Sequence, residues 1–122
     1  MISDEYAAGY LDGEGSFAIS HQSNGVVKRR VQVTSTHLPT LKLLQDAWGG
    51  QIYTKKLTAI SRKPLYTWLI VRSSGAEAML AAIIPHMVEK REAAELLLES
   101  MRGMRRQHVR AYRSRGGITR VS

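Results

Sequence analysis

Cysteine is absent from this 122-residue chain, and so are long apolar runs. Without cysteine, neither a disulfide framework nor a cysteine-ligated zinc site can form. No apolar run reaches the length of a membrane span, and the N-terminal residues MISDEYAAGY lack the basic-then-apolar pattern of a signal peptide. These absences predict a soluble, intracellular protein with no membrane partner. The length suits one domain with a modest core.

The net charge of +8 is distributed unevenly along the chain. Residues 1–15 carry four acids and no Lys or Arg, whereas residues 16–72 carry nine basic residues against the single acid Asp46. Residues 73–101 have a net charge of −3, and residues 102–122 hold seven arginines and no acid. A protein that is basic only for solubility would mix its charges more evenly, so this distribution favours a surface that binds a polyanion.

The first elements are a helix and, at its end, an acidic, glycine-rich turn. Gly9 and Gly13 are four residues apart on one helix face, and Ala8 widens this strip of small residues. Because glycine within a helix costs about 1 kcal/mol relative to alanine, the pair indicates the close approach of another backbone. Asp12 and Glu14 follow at the C-terminal end, where the helix dipole disfavours carboxylates, so a cation is expected there. On these residues alone, an ordinary helix ending in a loop is the alternative.

Alternation predicts two strands, over residues 16–22 and 27–34, joined at the hairpin signal Asn24-Gly25. Val31 and Val33 define a core face in the second strand, and the opposite face is basic and polar. Lys and Arg reach phosphate or guanine and Gln reads adenine, so this face suits nucleic acid, with a plain solvent face as the alternative. The predicted DNA contacts in this hairpin are Ser20, Gln22, Lys28, Arg30, Gln32 and Thr34.

A helix is predicted over residues 38–48, and strands over residues 51–55 and 65–72 follow it, separated by a basic loop. If Ile52 points to the core, its neighbours point the other way. The predicted DNA contacts of this half are Gln51, Tyr53 and Lys55 on the strand and Arg62 and Lys63 in the loop. The face of strand 65–72 stays open, because two apolar sets compete, one of Tyr66, Trp68 and Ile70 and one of Leu65, Thr67, Leu69 and Val71.

Two helical patterns complete the chain. Ser74 and Glu77 fit a capping box that opens the first, Pro85 ends or kinks it, and the second continues to about residue 104. The residues from 105 onward have no apolar period. We therefore predict one domain over residues 1–104 and a loosely ordered basic tail over residues 105–122.

The stretch 7–15 resembles the LAGLIDADG motif of the homing endonucleases, whose name spells its nine residues. Ala8 and Gly9 match, Asp12 matches the first Asp, Gly13 replaces the following Ala, and Glu14 replaces the second Asp. The resemblance covers residues 3–104 and implies the family's α+β fold, αββαββα, with a four-stranded antiparallel saddle-shaped sheet and the helices packed on one face. Since the motif occurs once, it implies a homodimer, with Ala8, Gly9, Asp12 and Gly13 at the interface.

The same resemblance assigns roles in metal-dependent phosphodiester hydrolysis. Glu14 and the backbone carbonyl of Gly13 correspond to the ligands of a catalytic Mg²⁺ or Mn²⁺. Asp12 lies near that site as a secondary candidate. Lys90 matches a basic residue close to the scissile phosphates. Ser35 stands where the family often has Gln to position water.

These observations predict a homodimeric endonuclease that cuts double-stranded DNA at a long, pseudo-palindromic site and uses no small-molecule cofactor. The alternative is a non-cleaving binder of the same fold, either an intron RNA maturase or a transcription regulator. A weaker alternative is a basic protein with general affinity for nucleic acid. Glu14 and Lys90 together favour cutting, because a binder has no need of them.

Overall fold

The structure, a computed structural model, describes the backbone of residues 1–55 and 64–114 and the side chains of residues 1–54 and 64–103. Over the described residues, helices and strands follow one another in the predicted order. No helix among them combines the length and the apolar character that crossing a membrane requires. The elements are α1 (Asp4–Glu14), β1 (Ser16–His21), β2 (Val27–Ser35), α2 (Leu38–Trp48), β3 (Gln51–Lys55), β4 (Leu65–Val71), α3 (Ser74–Ile83), a 3-10 turn (Ile84–His86) and α4 (Arg91–Ser114).

The four strands form one antiparallel sheet in the order β1-β2-β4-β3. Val31, Val33 and Trp68 are buried on one sheet face, in a single core with residues of all four helices. We call this the covered face, and the opposite side of the sheet the open face. The predicted α+β class, with helices packed on one face of a four-stranded antiparallel sheet, is thereby confirmed.

The packing of β4 settles which of its two apolar sets faces the core. Trp68 is fully buried and Ile70 nearly so, and Tyr66 packs against the core. The Trp68 indole Nε1–H donates to the carbonyl oxygen of Gly49 at 2.9 Å, which satisfies the one polar group of this large side chain. Thr67 and Leu69 therefore lie on the open face.

Local signals place the ends of α1. The Ser3 hydroxyl accepts from the Tyr6 N–H at 3.1 Å, as expected of an N-cap. At the other end, the Gly15 N–H donates to the Leu11 carbonyl at 2.9 Å. A Cβ at Gly15 would lie 2.7 Å from that same oxygen, so only glycine fits here. This turn passes the chain directly from α1 into β1.

Three strands end one residue away from their predicted limits, and two helix boundaries also differ from the predicted ones. The N-cap of α3 is Ser73, whose hydroxyl accepts from the Ala76 N–H at 3.1 Å, so Ser74 is the first helical residue. The last helix continues past residue 104, to Ser114. The domain boundary at 104 stays a prediction, and residues 115–122 of the predicted tail lie outside the described residues.

Candidate nucleic-acid interface and active site

The carboxylate of Asp12 lies against the chain segment that enters α4. Oδ2 accepts from the N–H groups of Val88 and Glu89 at 2.9 and 3.0 Å, and Oδ1 accepts from the Lys90 N–H at 2.6 Å. These donors precede or begin the helix and have no partner within it, so a carboxylate is a favourable acceptor there. Asp12 thus joins the end of α1 to the start of α4.

These hydrogen bonds also change how Asp12 titrates. The Lys90 N–H contributes most to lowering the pKa of the Asp12 carboxyl below its ordinary value. Burial of the carboxyl opposes this effect, and the other two N–H groups and the positive charge of Lys90 lower the pKa further. Asp12 is therefore held in its charged form by the groups that it anchors.

The same junction places the Lys90 side chain beside the acidic turn. Its ammonium donates to the carbonyl oxygen of Gly15 at 2.6 Å and, more weakly, to that of Gly13 at 3.4 Å. The C-terminal carbonyls of a helix carry partial negative charge, so a cation is stabilised there. Among the described residues, the Lys90 ammonium is the cation that lies at the end of α1.

Glu14 is the last residue of α1, and its side chain is exposed. Within the part of the chain that the structure describes, its carboxylate makes no hydrogen bond or ion pair. Glu14 and the neighbouring Gly13 carbonyl offer only oxygen donors, which suit Mg²⁺ and Mn²⁺. Over the described residues, no group of three or more His, Cys, Asp or Glu side chains could hold a metal ion.

Ser35 is placed differently from the other predicted catalytic residues. It ends β2, and strand alternation puts its side chain on the covered face, with Val33 and opposite to Thr34. Its hydroxyl accepts from the His37 N–H at 3.0 Å and so supports the turn into α2. The structure thus brings Asp12, Glu14 and Lys90 together at one turn, and the role of Ser35 in positioning water stays a prediction.

Most of the predicted DNA contacts share the open face of the sheet. Ser20 on β1 pairs with Lys28 on β2, and the Thr34 and Thr67 hydroxyls are 3.0 Å apart across β2 and β4. The Tyr53 O–H donates to Gln51 Oε1 at 2.7 Å along β3. The members of this polar set within the strands are Ser20, Lys28, Arg30, Gln32, Thr34, Gln51 and Tyr53.

The remaining predicted contacts within the described backbone lie at or beyond the ends of strands. Gln22 lies beyond β1, where its N–H closes the hairpin onto the Val26 carbonyl at 2.8 Å. Lys55 is the last residue of β3, opposite Leu65 in the register. Arg62 and Lys63 lie outside the described residues.

The basic run of β2 divides between the two sheet faces. Arg30 belongs to the open face, whereas the Arg29 Nε–H donates to the Ser100 hydroxyl on α4 at 2.6 Å. Burial, and then the charge of Arg72, lower the pKa of the Arg29 guanidinium. Arg29 thus helps to hold α4 against the sheet, while Arg30 remains available to a ligand.

On the side of α1 that faces away from the core, the strip of small residues is narrower than the sequence predicts. A Cβ at Gly9 or Gly13 would meet nothing within 4 Å, so both positions border open space. Ala8, by contrast, is fully buried in the core, and the Asp12 carboxylate is engaged by the segment that enters α4. Alanine at position 8 faces inward because it shares a helix side with Leu11. Of the four predicted interface residues, the two glycines lie on the open side of α1.

Sequence reasoning missed the part that β4 plays in the open face, where Thr67, Leu69 and Val71 lie beside the polar set. The alternation of β4 gave no signal for this, because both of its faces are apolar. The size of Trp68 was the one indication of which face of β4 is buried, since the largest side chain is most easily accommodated beneath the helices.

Among known proteins, no family model matches this chain, and no curated protein matches it. Solved structures do. One is the homing endonuclease I-CvuI, solved in complex with its target in the presence of calcium. The match covers 81% of this chain and 65% of I-CvuI, with 18% sequence identity and a TM-score of 0.63. The archaeal intron-encoded homing endonuclease I-Vdi141I, complexed with DNA, is 20% identical over 87% of this chain and 71% of its own, with a TM-score of 0.67.

The LAGLIDADG meganuclease I-AabMI, bound to uncleaved DNA, is 24% identical over 88% of this chain, with a TM-score of 0.65. This chain spans 65% of the length of I-CvuI and 38% of the length of I-AabMI. At these identities the likeness establishes the fold. The chain therefore has the fold of the LAGLIDADG homing endonucleases.

Proposed function

We propose that the protein is a LAGLIDADG homing endonuclease, a site-specific, divalent-metal-dependent enzyme that cuts double-stranded DNA as a homodimer. The observation that carries this proposal is the junction of α1 and α4. There the Asp12 carboxylate holds three N–H groups at the start of α4, and the Lys90 ammonium reaches the carbonyls of Gly13 and Gly15 beside the exposed Glu14. A free carboxylate next to a positioned cation is an arrangement suited to phosphate chemistry.

Hydrolysis of a phosphodiester requires a nucleophilic water, neutralisation of the phosphate and stabilisation of the leaving oxygen. Glu14 and the Gly13 carbonyl would hold Mg²⁺ or Mn²⁺, which when bound supplies Lewis acidity and lowers the pKa of a coordinated water. Lys90 would place its positive charge near the scissile phosphate. Asp12 would act through Lys90, because the hydrogen bonds that Asp12 accepts fix the position of the Lys90 backbone and so direct the lysine side chain.

The homodimer supplies what one protomer lacks. Each protomer has one Glu14, and cutting two strands requires two equivalent sites. The open space over Gly9 and Gly13 would receive the same face of α1 from a second copy, so that two backbones approach closely and bring the two acidic turns together. A two-fold dimer would then read a pseudo-palindromic site, because its two halves present identical surfaces.

The open face of the sheet would bind the DNA. Lys28 and Arg30 are suited to phosphate or guanine, and Gln32 to adenine, so the face combines positioning contacts with contacts that discriminate between bases. None of the four strands contains an acidic residue, in keeping with a polyanionic partner. I-CvuI, I-Vdi141I and I-AabMI, which share this fold, were each solved in complex with DNA, which supports DNA as the ligand.

The substitution Glu14→Gln tests the proposal, because a glutamine keeps the size of the side chain but binds Mg²⁺ poorly. We expect DNA cleavage to be lost while DNA binding persists. Wild type and variant would be incubated with a randomised duplex library, with Mg²⁺ for cutting and with Ca²⁺ for binding, and the cut ends and retained duplexes sequenced. Glu5→Gln, an exposed acid in the first turn of the same helix, is the matched control and should cut as wild type does.

Two outcomes would count against an endonuclease. If Glu14→Gln cuts as fast as wild type, the acidic turn is structural and the proposed site is wrong. If wild type cuts nothing yet retains one sequence tightly in Ca²⁺, the protein is a binder of the maturase or regulator kind.

A further inference from the structure

The open face carries an apolar column at its centre. β4 is an interior strand of the sheet, and its open-face residues include Leu69, which is partly exposed, and Val71, which is 55% exposed. Apolar side chains on a face that otherwise carries Lys, Arg and Gln are not explained by phosphate contacts. They suit a ligand that presents an apolar group to this part of the open face.

The register gives Leu69 two amide neighbours. Leu69 pairs with Gln32 on β2 and with Gln51 on β3, so one row across the sheet reads amide, apolar, amide. Residues directly opposite in antiparallel strands have their Cβ atoms about 5 Å apart, close enough to act on one base pair. The Tyr53 O–H donates to Gln51 Oε1 at 2.7 Å, which ties down one of the two amides.

This row matches the major-groove edge of one base-pair type. Adenine offers N7 and the N6 amino group, which a Gln amide contacts bidentately, and thymine offers the C5 methyl group, which an apolar side chain contacts. A G·C pair has no such methyl. Resting on the proposed function, we propose that Leu69, flanked by Gln32 and Gln51, reads an A·T base pair in each half-site, with its side chain against the thymine methyl.

The surroundings of the row favour DNA over an apolar protein partner. Gln51, Tyr53, Leu69 and Val71 line a shallow, open concavity at this end of the sheet. The next row of the register pairs Arg30 with Val71, so a cation lies close to the apolar column. A hydrophobic peptide would gain nothing from that cation, whereas a duplex presents phosphates and thymine methyls together.

The experiment separates the methyl group from every other feature of the base pair. Wild type would select duplexes from a randomised library in Ca²⁺, and deoxyuridine would then replace each thymine of the selected site in turn, which removes one methyl per change. At one symmetric position of the half-sites, we expect the loss of the methyl to weaken binding about fourfold per half-site, the effect of one buried methyl-sized group.

Leu69→Ser tests whether this side chain makes the contact. In that variant thymine and uracil should bind equally at this position, and the A·T preference there should weaken to what the adenine contacts of the Gln amides provide. Leu43→Ser removes a leucine exposed on α2, in the helix layer, and should keep the thymine preference of wild type.

The outcomes distinguish this inference from the function on which it rests. If wild type selects a sequence but binds uracil as well as thymine at every position, the reading of the methyl is wrong and the endonuclease proposal is untouched. The same holds if Leu69→Ser retains the full preference for thymine over uracil. If no sequence is selected and none is cut, the proposed function falls, and this inference falls with it. Should Leu69→Ser not fold, the thymine-to-uracil comparison on wild type still decides.

Discussion

Asp12 and Glu14 are two residues apart, yet their carboxylates have opposite surroundings. Asp12 accepts hydrogen bonds from three N–H groups at the entry to α4. Glu14 is exposed and, among the described residues, accepts no hydrogen bond. Because a carboxylate that already accepts three backbone hydrogen bonds has little capacity left for a metal ion, the proposed metal site uses Glu14 and leaves a structural role to Asp12. The resemblance ranks the two acids in the same order.

Asp12→Asn should destabilise the fold in a pH-dependent way. The folded state lowers the pKa of Asp12, so its contribution to stability is present above the unfolded-state value of roughly 4 and is lost as the pH falls through the lower folded-state value. Urea unfolding of wild type and variant should therefore differ most at neutral pH and converge in acid. Asp46→Asn, an exposed carboxylate on α2, is the control. A difference that stays constant with pH would show that the charge of Asp12 does not matter.

Lys90→Met should slow cleavage without unfolding the protein. The substitution removes the ammonium at the Gly13 and Gly15 carbonyls but keeps the backbone N–H that binds Asp12. A loss of about 10²-fold in the single-turnover cutting rate is expected of one electrostatic group near a reacting phosphate. Lys42→Met, on the exposed side of α2, should cut normally. An unchanged rate for Lys90→Met would remove the lysine from the proposed chemistry.

At the scale of the element, α1 serves two surfaces at once. Ala7, Ala8 and Leu11 are fully buried in the core, while Gly9 and Gly13 border open space on the other side. Tyr6, on the exposed side, is 55% exposed and stacks on Tyr10 with ring centroids 6.4 Å apart. The helix is therefore held by its own protomer through one side only, and the other side can be tested independently of folding.

Gly9→Leu should leave a folded monomer. Within the protomer a side chain here meets no atom, and replacing helical glycine removes a cost of up to about 1 kcal/mol, so thermal stability of the protomer should not fall. Against a second α1, the same side chain would clash. Light scattering should show the wild-type mass halved, with the helical circular dichroism unchanged.

Gly15→Ala provides the contrast, because its Cβ would lie 2.7 Å from the Leu11 carbonyl and should destabilise the fold itself. If Gly9→Leu remains a dimer, two α1 helices do not meet at this strip. If wild type is already a monomer at micromolar concentration, with and without DNA, the proposed assembly is wrong.

At the scale of the whole molecule, the net charge of +8 and the acid-free strands predict salt-dependent DNA binding. The logarithm of the association constant should fall with the logarithm of salt concentration by about 0.9 for each phosphate contacted. Lys28→Ala should reduce this slope if Lys28 contacts phosphate. Gln32→Ala should leave the slope unchanged and alter base preference at one position by roughly 1–3 kcal/mol. A slope near zero would contradict the assignment of the open face to DNA.

The sequence by itself determined the order of the elements and most of their limits, because these depend on neighbours within a few residues. Ser3 caps α1, Asn24 and Gly25 close the hairpin, and α2 has the predicted bounds. Asn24 is a clear instance, since its side-chain Oδ1 accepts from the Val26 N–H at 3.0 Å. The motif residues also gave Glu14 and Lys90 as candidates through their resemblance to a family.

Only the tertiary structure decided what depends on contacts between distant parts of the chain. Asp12 could not be assigned to α4 from the sequence, since its partners are 76–78 residues away. Ala8 and Gly9 are adjacent and similar in size, and their opposite positions follow from how α1 is rotated against the core. The face of β4 was undecidable from alternation, because both faces are apolar. Burial of Trp68 beneath the helices fixed it, and thereby put Leu69 on the open face.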